Sequence, residues 1–175
     1  MTNNKKTDLI QKMSSDENRQ RASAVTVNVQ DPTSHLARAC LANYYHELAE
    51  RFEDGFNPEQ SISASTEELT PPQGYFVVAE LHGEAVGCGA LKCHTAFGEV
   101  KRMWVAPSVR GLGIGKHLLA RLEDIAREQK SPLLRLETNK ALVEAQTLYK
   151  NFGYREVAAF NTEPYAHHWF EKSLK

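Results

Sequence analysis

Between residues 99 and 128 the chain runs from a strand through a glycine-rich turn directly into a helix, and this junction narrows the choice of fold more than any other segment. The strand is Glu99-Val100-Lys101-Arg102-Met103-Trp104-Val105, and the turn is Arg110-Gly111-Leu112-Gly113-Ile114-Gly115-Lys116. Glycines at 111, 113 and 115 let the main chain approach a ligand closely. The first N–H groups of the helix have no intrahelical acceptor, and together with the positive end of its dipole they converge on an anion. Arg110 and Lys116 add charge at the same place. Two familiar phosphate loops fit badly. A P-loop needs glycine where Arg110 stands and Ser or Thr where His117 stands, and a dinucleotide fingerprint needs glycine at Lys116.

The hydrophobic period on either side sets an element order. Valines at 25, 27 and 29 alternate with polar residues and predict a first strand, and Asp31-Pro32 suits a helix start. Leu41, Tyr44, Tyr45, Leu48 and Phe52 form the stripe of that helix. Residues 57–74 read as a loop with a short turn near Glu67 to Leu69. Tyr75 to Leu81, Ala85 to Cys93 and Gly98 to Val105 then predict an antiparallel meander. A helix from Ile114 carries apolar residues at 118, 122, 125 and 126 and stops before Ser131-Pro132. Leu133 to Thr138 is a strand. Ala141, Ala145, Leu148 and Phe152 mark another helix, which Asn139 is placed to cap and Gly153 to close. Val157 to Phe160 and His167 to Leu174 complete the set. The order β-α-β-β-β-α-β-α-β-β describes an α/β protein with a mixed sheet.

Composition bounds the partners. A chain of 175 residues with 41% hydrophobic residues suits one domain, expected over residues 23–175. Residues 1–22 are polar and are expected to form a flexible tail. A formal net charge of -1 gives no overall pull toward nucleic acid, and Lys101-Arg102 puts one charge on each strand face, so no nucleic-acid partner is expected. No stretch has the run of ~20 apolar residues a membrane helix requires. Cys40, Cys88 and Cys93 show neither CxxC nor metal-ligand spacing and read as reduced thiols, which favours the cytoplasm. His167 and His168 fall on opposite strand faces with no carboxylate spacing beside them, so no metal site is expected.

The pattern Arg/Gln-x-x-Gly-x-Gly/Ala, present from Arg110 to Gly115 after the strand Glu99 to Val105, resembles the GNAT acetyltransferases. The resemblance extends to Leu136-Glu137-Thr138-Asn139 and to the run from Ala145 to Tyr154, and it covers roughly Tyr75 to the C-terminus. The ending Glu163-Pro164-Tyr165-Ala166-His167-His168-Trp169-Phe170-Glu171-Lys172 resembles a bacterial subgroup, some members of which are fused to MarR-type regulators; no such regulator fits before the first strand.

The resemblance implies a mixed, mostly antiparallel sheet of about seven strands flanked by about four helices. It implies acetyl-CoA as acetyl donor and a primary amine of a small molecule or peptide as acceptor. Met103, Trp104 and Val105 would meet the pantetheine arm, and main-chain N–H groups of Arg110, Gly111, Leu112, Gly113, Ile114, Gly115 and Lys116 would bind the pyrophosphate. Asn139 and Phe152 would lie beside the cofactor arm. The implied mechanism is direct attack of a neutral amine on the thioester, with Tyr149 protonating the leaving thiolate. Glu99, on the same strand parity as Met103 and Val105, is the first choice of base, and Glu137 the second. Plainer roles stand beside these: Tyr149 as helix core, Asn139 as an N-cap, Glu99 as a solvated strand end. A non-catalytic acyl-CoA-binding module is the competing function. Family members are often dimers, so a homodimer is compatible, although no strand edge or apolar patch in the sequence identifies one.

Overall fold

The computed structural model describes residues 14–175. In the expected tail, helix α1 occupies residues 14–23 with almost all of its side chains exposed, and residues 1–13 lie outside the described part. The domain then follows the order β1 (Thr26–Gln30), α2 (His35–Arg51), β2 (Gly74–Leu81), β3 (Glu84–Cys93), β4 (Gly98–Val105), α3 (Ile114–Glu128), β5 (Leu133–Thr138), α4 (Val143–Asn151), β6 (Arg155–Val157) and β7 (His168–Ser173). A single 3-10 turn at Glu67–Leu69 interrupts the loop after α2. The α/β reading holds, with a seven-stranded sheet in the order β1-β2-β3-β4-β5-β7-β6. Every pairing is antiparallel except β4 with β5.

Helix α2 begins later than Asp31-Pro32 suggests. Asp31 instead accepts from the N–H and hydroxyl of Thr33 in a local turn, and Ser34 caps the helix by accepting from the Ala37 amide at 3.2 Å. The two faces of the sheet are covered differently. On one, Ala37 and Cys40 of α2 meet Phe76, Val78, Cys88, Ala90 and Trp104. On the other, Leu118, Leu119, Leu122 and Ile125 of α3 meet Val77, Leu91, Val100 and Leu134. Each fully buried aliphatic side chain is worth about 1.5–3 kcal/mol of transfer free energy, so α3 is held firmly against the sheet.

Two features of β4 position everything downstream. Cys88 pairs with Trp104 and Ala90 with Lys101, so Gly89 stands opposite two residues, Arg102 and Met103, in a β-bulge where Arg102 takes a φ of 56°. The extra residue reverses side-chain parity: Trp104 joins Cys88 and Ala90 on the α2 face, while Met103 and Val105 pack toward the α3 core. Glu99 and Lys101 therefore do not share a face with Met103 and Val105, which corrects the parity argument for Glu99. Second, β4 and β5 pair only at Gly98↔Leu134 and Glu99↔Arg135 and then separate.

Close contact between α3 and the sheet depends on Gly87. A Cβ there would lie 2.9 Å from the Trp104 carbonyl oxygen and 3.1 Å from Leu118 Cδ1. Gly87→Ala is expected to lose about 1–3 kcal/mol of stability by overpacking, read as a lower urea midpoint with an unchanged slope.

Candidate active site

The separation of β4 from β5 opens a cleft of ≈ 500 Å³. Its floor and one wall are Met103, Trp104 and Val105 with Arg110, Gly111, Gly113, Ile114, Gly115 and Lys116. Of the turn residues named from sequence, Leu112 alone does not line the cleft, and it packs against the core instead. Gly113 is the N-cap of α3 in a left-handed conformation, φ 79°, and Gly111 has φ 85°, so both positions favour glycine. No side chain caps this helix and no acidic residue lies in its first turn. Among the described residues Lys116 forms no ion pair with a carboxylate. The amides and dipole at the start of α3 therefore face the cleft with no capping side chain or first-turn acid against them, which suits an incoming diphosphate.

Arg110 has a different task from the one its charge suggests. Its Nη2 lies 2.7 Å from both carboxylate oxygens of Glu47, and its Nε donates to the Val105 carbonyl at 3.0 Å. Glu47 also accepts from Trp104 Nε1 at 2.8 Å and from Arg51 Nη1 at 3.1 Å, while Arg51 bonds Glu144 and the Ala141 carbonyl. One carboxylate thus ties α2 to β4, to the glycine turn and, through Arg51, to the start of α4. Sequence reasoning missed Glu47 because two of its partners, Trp104 and Arg110, lie 57 and 63 positions away, and the third, Arg51 four residues on, reads as an ordinary helix-surface pair.

A smaller cavity of ≈ 110 Å³ lies beyond, lined by Lys101, Arg102, Glu137 and the rings of Tyr45, Phe56 and Tyr165. Tyr44, Leu48, Met103, Leu142, Ala145 and Tyr149 line both spaces. Tyr44, Tyr45 and Leu48 belong to the apolar stripe of α2. Only Leu48 of the three is fully buried, and the tyrosines are half-buried cavity wall.

Tyr149 is 5% exposed against Tyr154 and Phe170. Burial, reinforced by the negative charge of Glu137, pushes its phenol well above the usual value and keeps it protonated. Glu137 lines the smaller cavity; burial raises its carboxyl above the usual range against the pull of Lys101. Glu99 lines neither cavity. Its oxygens are taken by Lys101 Nζ at 2.8 Å and His94 Nε2 at 2.9 Å, and although burial alone would raise its carboxyl, these partners hold it below the usual range.

Asn139 and Phe152 do not reach the cleft. Asn139 donates to the Tyr165 carbonyl at 2.7 Å and accepts from the Ala141 amide at 2.9 Å. It braces the C-terminal loop and does not cap α4, whose N-cap is Leu142. Phe152 packs under Lys172, whose Nζ lies 4.7 Å from the ring centroid.

A cleft opened by splayed strands at an uncapped, acid-free helix start describes an acyltransferase of the acyl-CoA type. The chain belongs to the Acetyltransferase (GNAT) family, whose pattern matches residues 41–154. It is 37% identical over 116 residues to the IAA acetyltransferase of Azospirillum brasilense, a match covering 65% of this chain and 76% of that protein. Its fold resembles an acetyltransferase of the GNAT family from Staphylococcus aureus, with a TM-score of 0.70, 21% identity, and coverage of 86% of this chain and 100% of that one. An acetyltransferase of Bacillus anthracis in complex with acetyl coenzyme A aligns with a TM-score of 0.55, 21% identity, and coverage of 64% and 69%. The protein is therefore an acyltransferase, and acetyl transfer is its class of reaction.

Glu47→Gln removes the charge from the knot. Burial alone would raise the Glu47 carboxyl, but hydrogen bonds from Arg110, Arg51 and Trp104 outweigh it and hold the group below its usual range. A lowered carboxyl contributes stability that is present above the unfolded value of about 4.3 and lost as pH falls below it. The variant is expected to be about 1–3 kcal/mol less stable at pH 7, with the gap to the parent closing in acid, measured by urea unfolding across pH.

Proposed function

We propose that this protein transfers the acetyl group of acetyl-CoA to the primary amine of a small molecule by direct attack. The observation that carries the reading is that Tyr149, buried and held protonated, lines both the larger cleft and the smaller cavity that contains Glu137. The larger cleft suits the donor: main-chain N–H groups of Gly113, Ile114, Gly115 and Lys116 hold the pyrophosphate, with the Lys116 ammonium beside them. The edge of β4 from Met103 to Val105 has no β5 partner and meets the pantetheine arm. The smaller cavity takes the acceptor, and its size favours a small molecule over a peptide.

Acetyl-CoA supplies an activated thioester carbon. Glu137 takes one proton from the acceptor's ammonium, which frees a nitrogen lone pair to form the N–C bond as the C–S bond breaks. Tyr149 gives its phenolic proton to the departing sulfur and recovers a proton from the nitrogen, so the products are amide and CoA thiol. Glu137 is preferred to Glu99 because it lines the cavity and its carboxyl is raised toward the working pH. Lys101 bridges the two carboxylates, at 2.8 Å from Glu99 and 3.4 Å from Glu137, and fixes the base in place.

Tyr149→Phe is expected to lower kcat by about 100-fold or more while calorimetry finds unchanged CoA affinity. A loss of CoA binding in parallel with rate would assign Tyr149 to packing. The base must be unprotonated, so kcat/KM should fall as pH drops through a limb above the ordinary carboxylate value of about 4.3. Glu137→Gln should remove that limb and cost about 100-fold in rate, whereas Glu99→Gln should leave the limb in place.

A further inference from the structure

The wall of the smaller cavity carries four charged side chains, and the protein satisfies only two of them. Glu163 is spent on its own loop: one oxygen accepts from the Ile62 amide at 2.6 Å and the Ser61 hydroxyl at 3.0 Å, and the other from the Tyr165 amide at 3.3 Å. Lys101 is spent between Glu99 and Glu137. Glu137 is left short. Its side chain is 10% exposed, its Oε1 shares Lys101 at 3.4 Å, and its Oε2 is buried with no donor. An unpaired carboxylate oxygen in a buried place is costly unless a ligand supplies the missing donor.

Arg102 is the complementary case. It sits at the β4 bulge with φ 56°, a conformation that a non-glycine residue adopts at a cost, and it lines the same cavity. Its Nη2 donates to the Ala64 carbonyl at 2.7 Å and the Ser63 hydroxyl at 3.3 Å, both neutral acceptors. Among the described residues it pairs with no carboxylate, whereas Arg51 and Arg110 near the neighbouring cleft are both committed to Glu47. The cavity therefore offers a guanidinium without an anion and a carboxylate without its full set of donors.

We propose that the acceptor is a compact zwitterion, a primary amine that also bears an acidic group, whose ammonium docks at Glu137 Oε2 and whose carboxylate or phosphonate pairs with Arg102. This rests on the acetyl-transfer reading and adds the chemical class of its acceptor. The two charges satisfy each other's deficits, and guanidinium matches an oxyanion in two-pronged geometry. Between them the wall is aromatic, with Phe56 and Tyr165 at 4.8 Å and Phe52 and Phe56 at 5.8 Å between ring centroids. These rings take the short hydrocarbon part of the acceptor and exclude water, which strengthens both ion pairs. The small volume selects against bulky amines.

The test compares acidic and neutral amines matched in carbon count. CoA release from acetyl-CoA is followed with β-alanine and 2-aminoethylphosphonate, and with propylamine and ethanolamine. The parent protein should prefer the acidic amines by about 30-fold or more in kcat/KM. Arg102→Asn, which removes the charge and tolerates positive φ, should erase that preference, with the loss for the acidic amines falling mainly on KM and exceeding any loss for the neutral amines. Arg102→Lys should keep part of it. Equal or better turnover of the neutral amines by the parent protein, or an equal loss for both classes in Arg102→Asn, overturns the proposal and leaves acetyl transfer standing. The comparison on the parent protein decides even if the variant does not fold. Absence of CoA release with every amine sinks the transfer reading and the proposal with it.

Discussion

After the pair Glu99↔Arg135 the strands β4 and β5 run apart, and a sheet that divides in its middle leaves main-chain polar groups without a neighbouring strand. In most sheets such a gap is a fault to be covered. Here the open edge at Met103 to Val105 leads straight to the uncapped start of α3, so strand edge and helix amides form one continuous polar track. The core on the α3 face keeps that helix in place, and the small size of Gly87 lets the two meet closely.

The arginines near the track show how the site is kept free of competition. Anionic side chains at a helix start would occupy its amides, and two acids, Glu47 and Glu144, do line the cleft. Arg110 and Arg51 neutralise both, so the positive end of α3 remains available. The same knot joins α2, β4 and α4, the elements that carry Tyr44, Met103 and Tyr149. Stability and the shape of the site are therefore built from one set of contacts, and a loss at Glu47 should be felt in both.

The bulge at Arg102 has the opposite character. It costs backbone energy, and it turns one residue of β4 out of register. That shift puts Met103 and Val105 on the opposite face from Glu99, which is closed in with His94 and Lys101. A strict two-residue period along β4 hides this, because the period is broken by main-chain conformation and not by any change in residue type.

Much of this protein was legible in its residues alone. The alternation in β2 to β4 and the apolar stripe of α3 are local consequences of backbone sterics and side-chain period, so element order and sheet class follow from them, and the glycines at 111 and 113 take the left-handed conformations their residue type favours. What local pattern does not carry was decided by the tertiary structure. The tyrosines of α2 line a cavity because the strands beneath them part; Asn139 braces a loop because Tyr165 returns to it from 26 residues away. Glu47 gathers Arg110 and the Trp104 indole because α2 crosses the sheet above them. The line between the two falls where a residue's role depends on partners brought close by folding, since hydrogen bonds and Coulomb forces act over distance in space and are blind to distance along the chain.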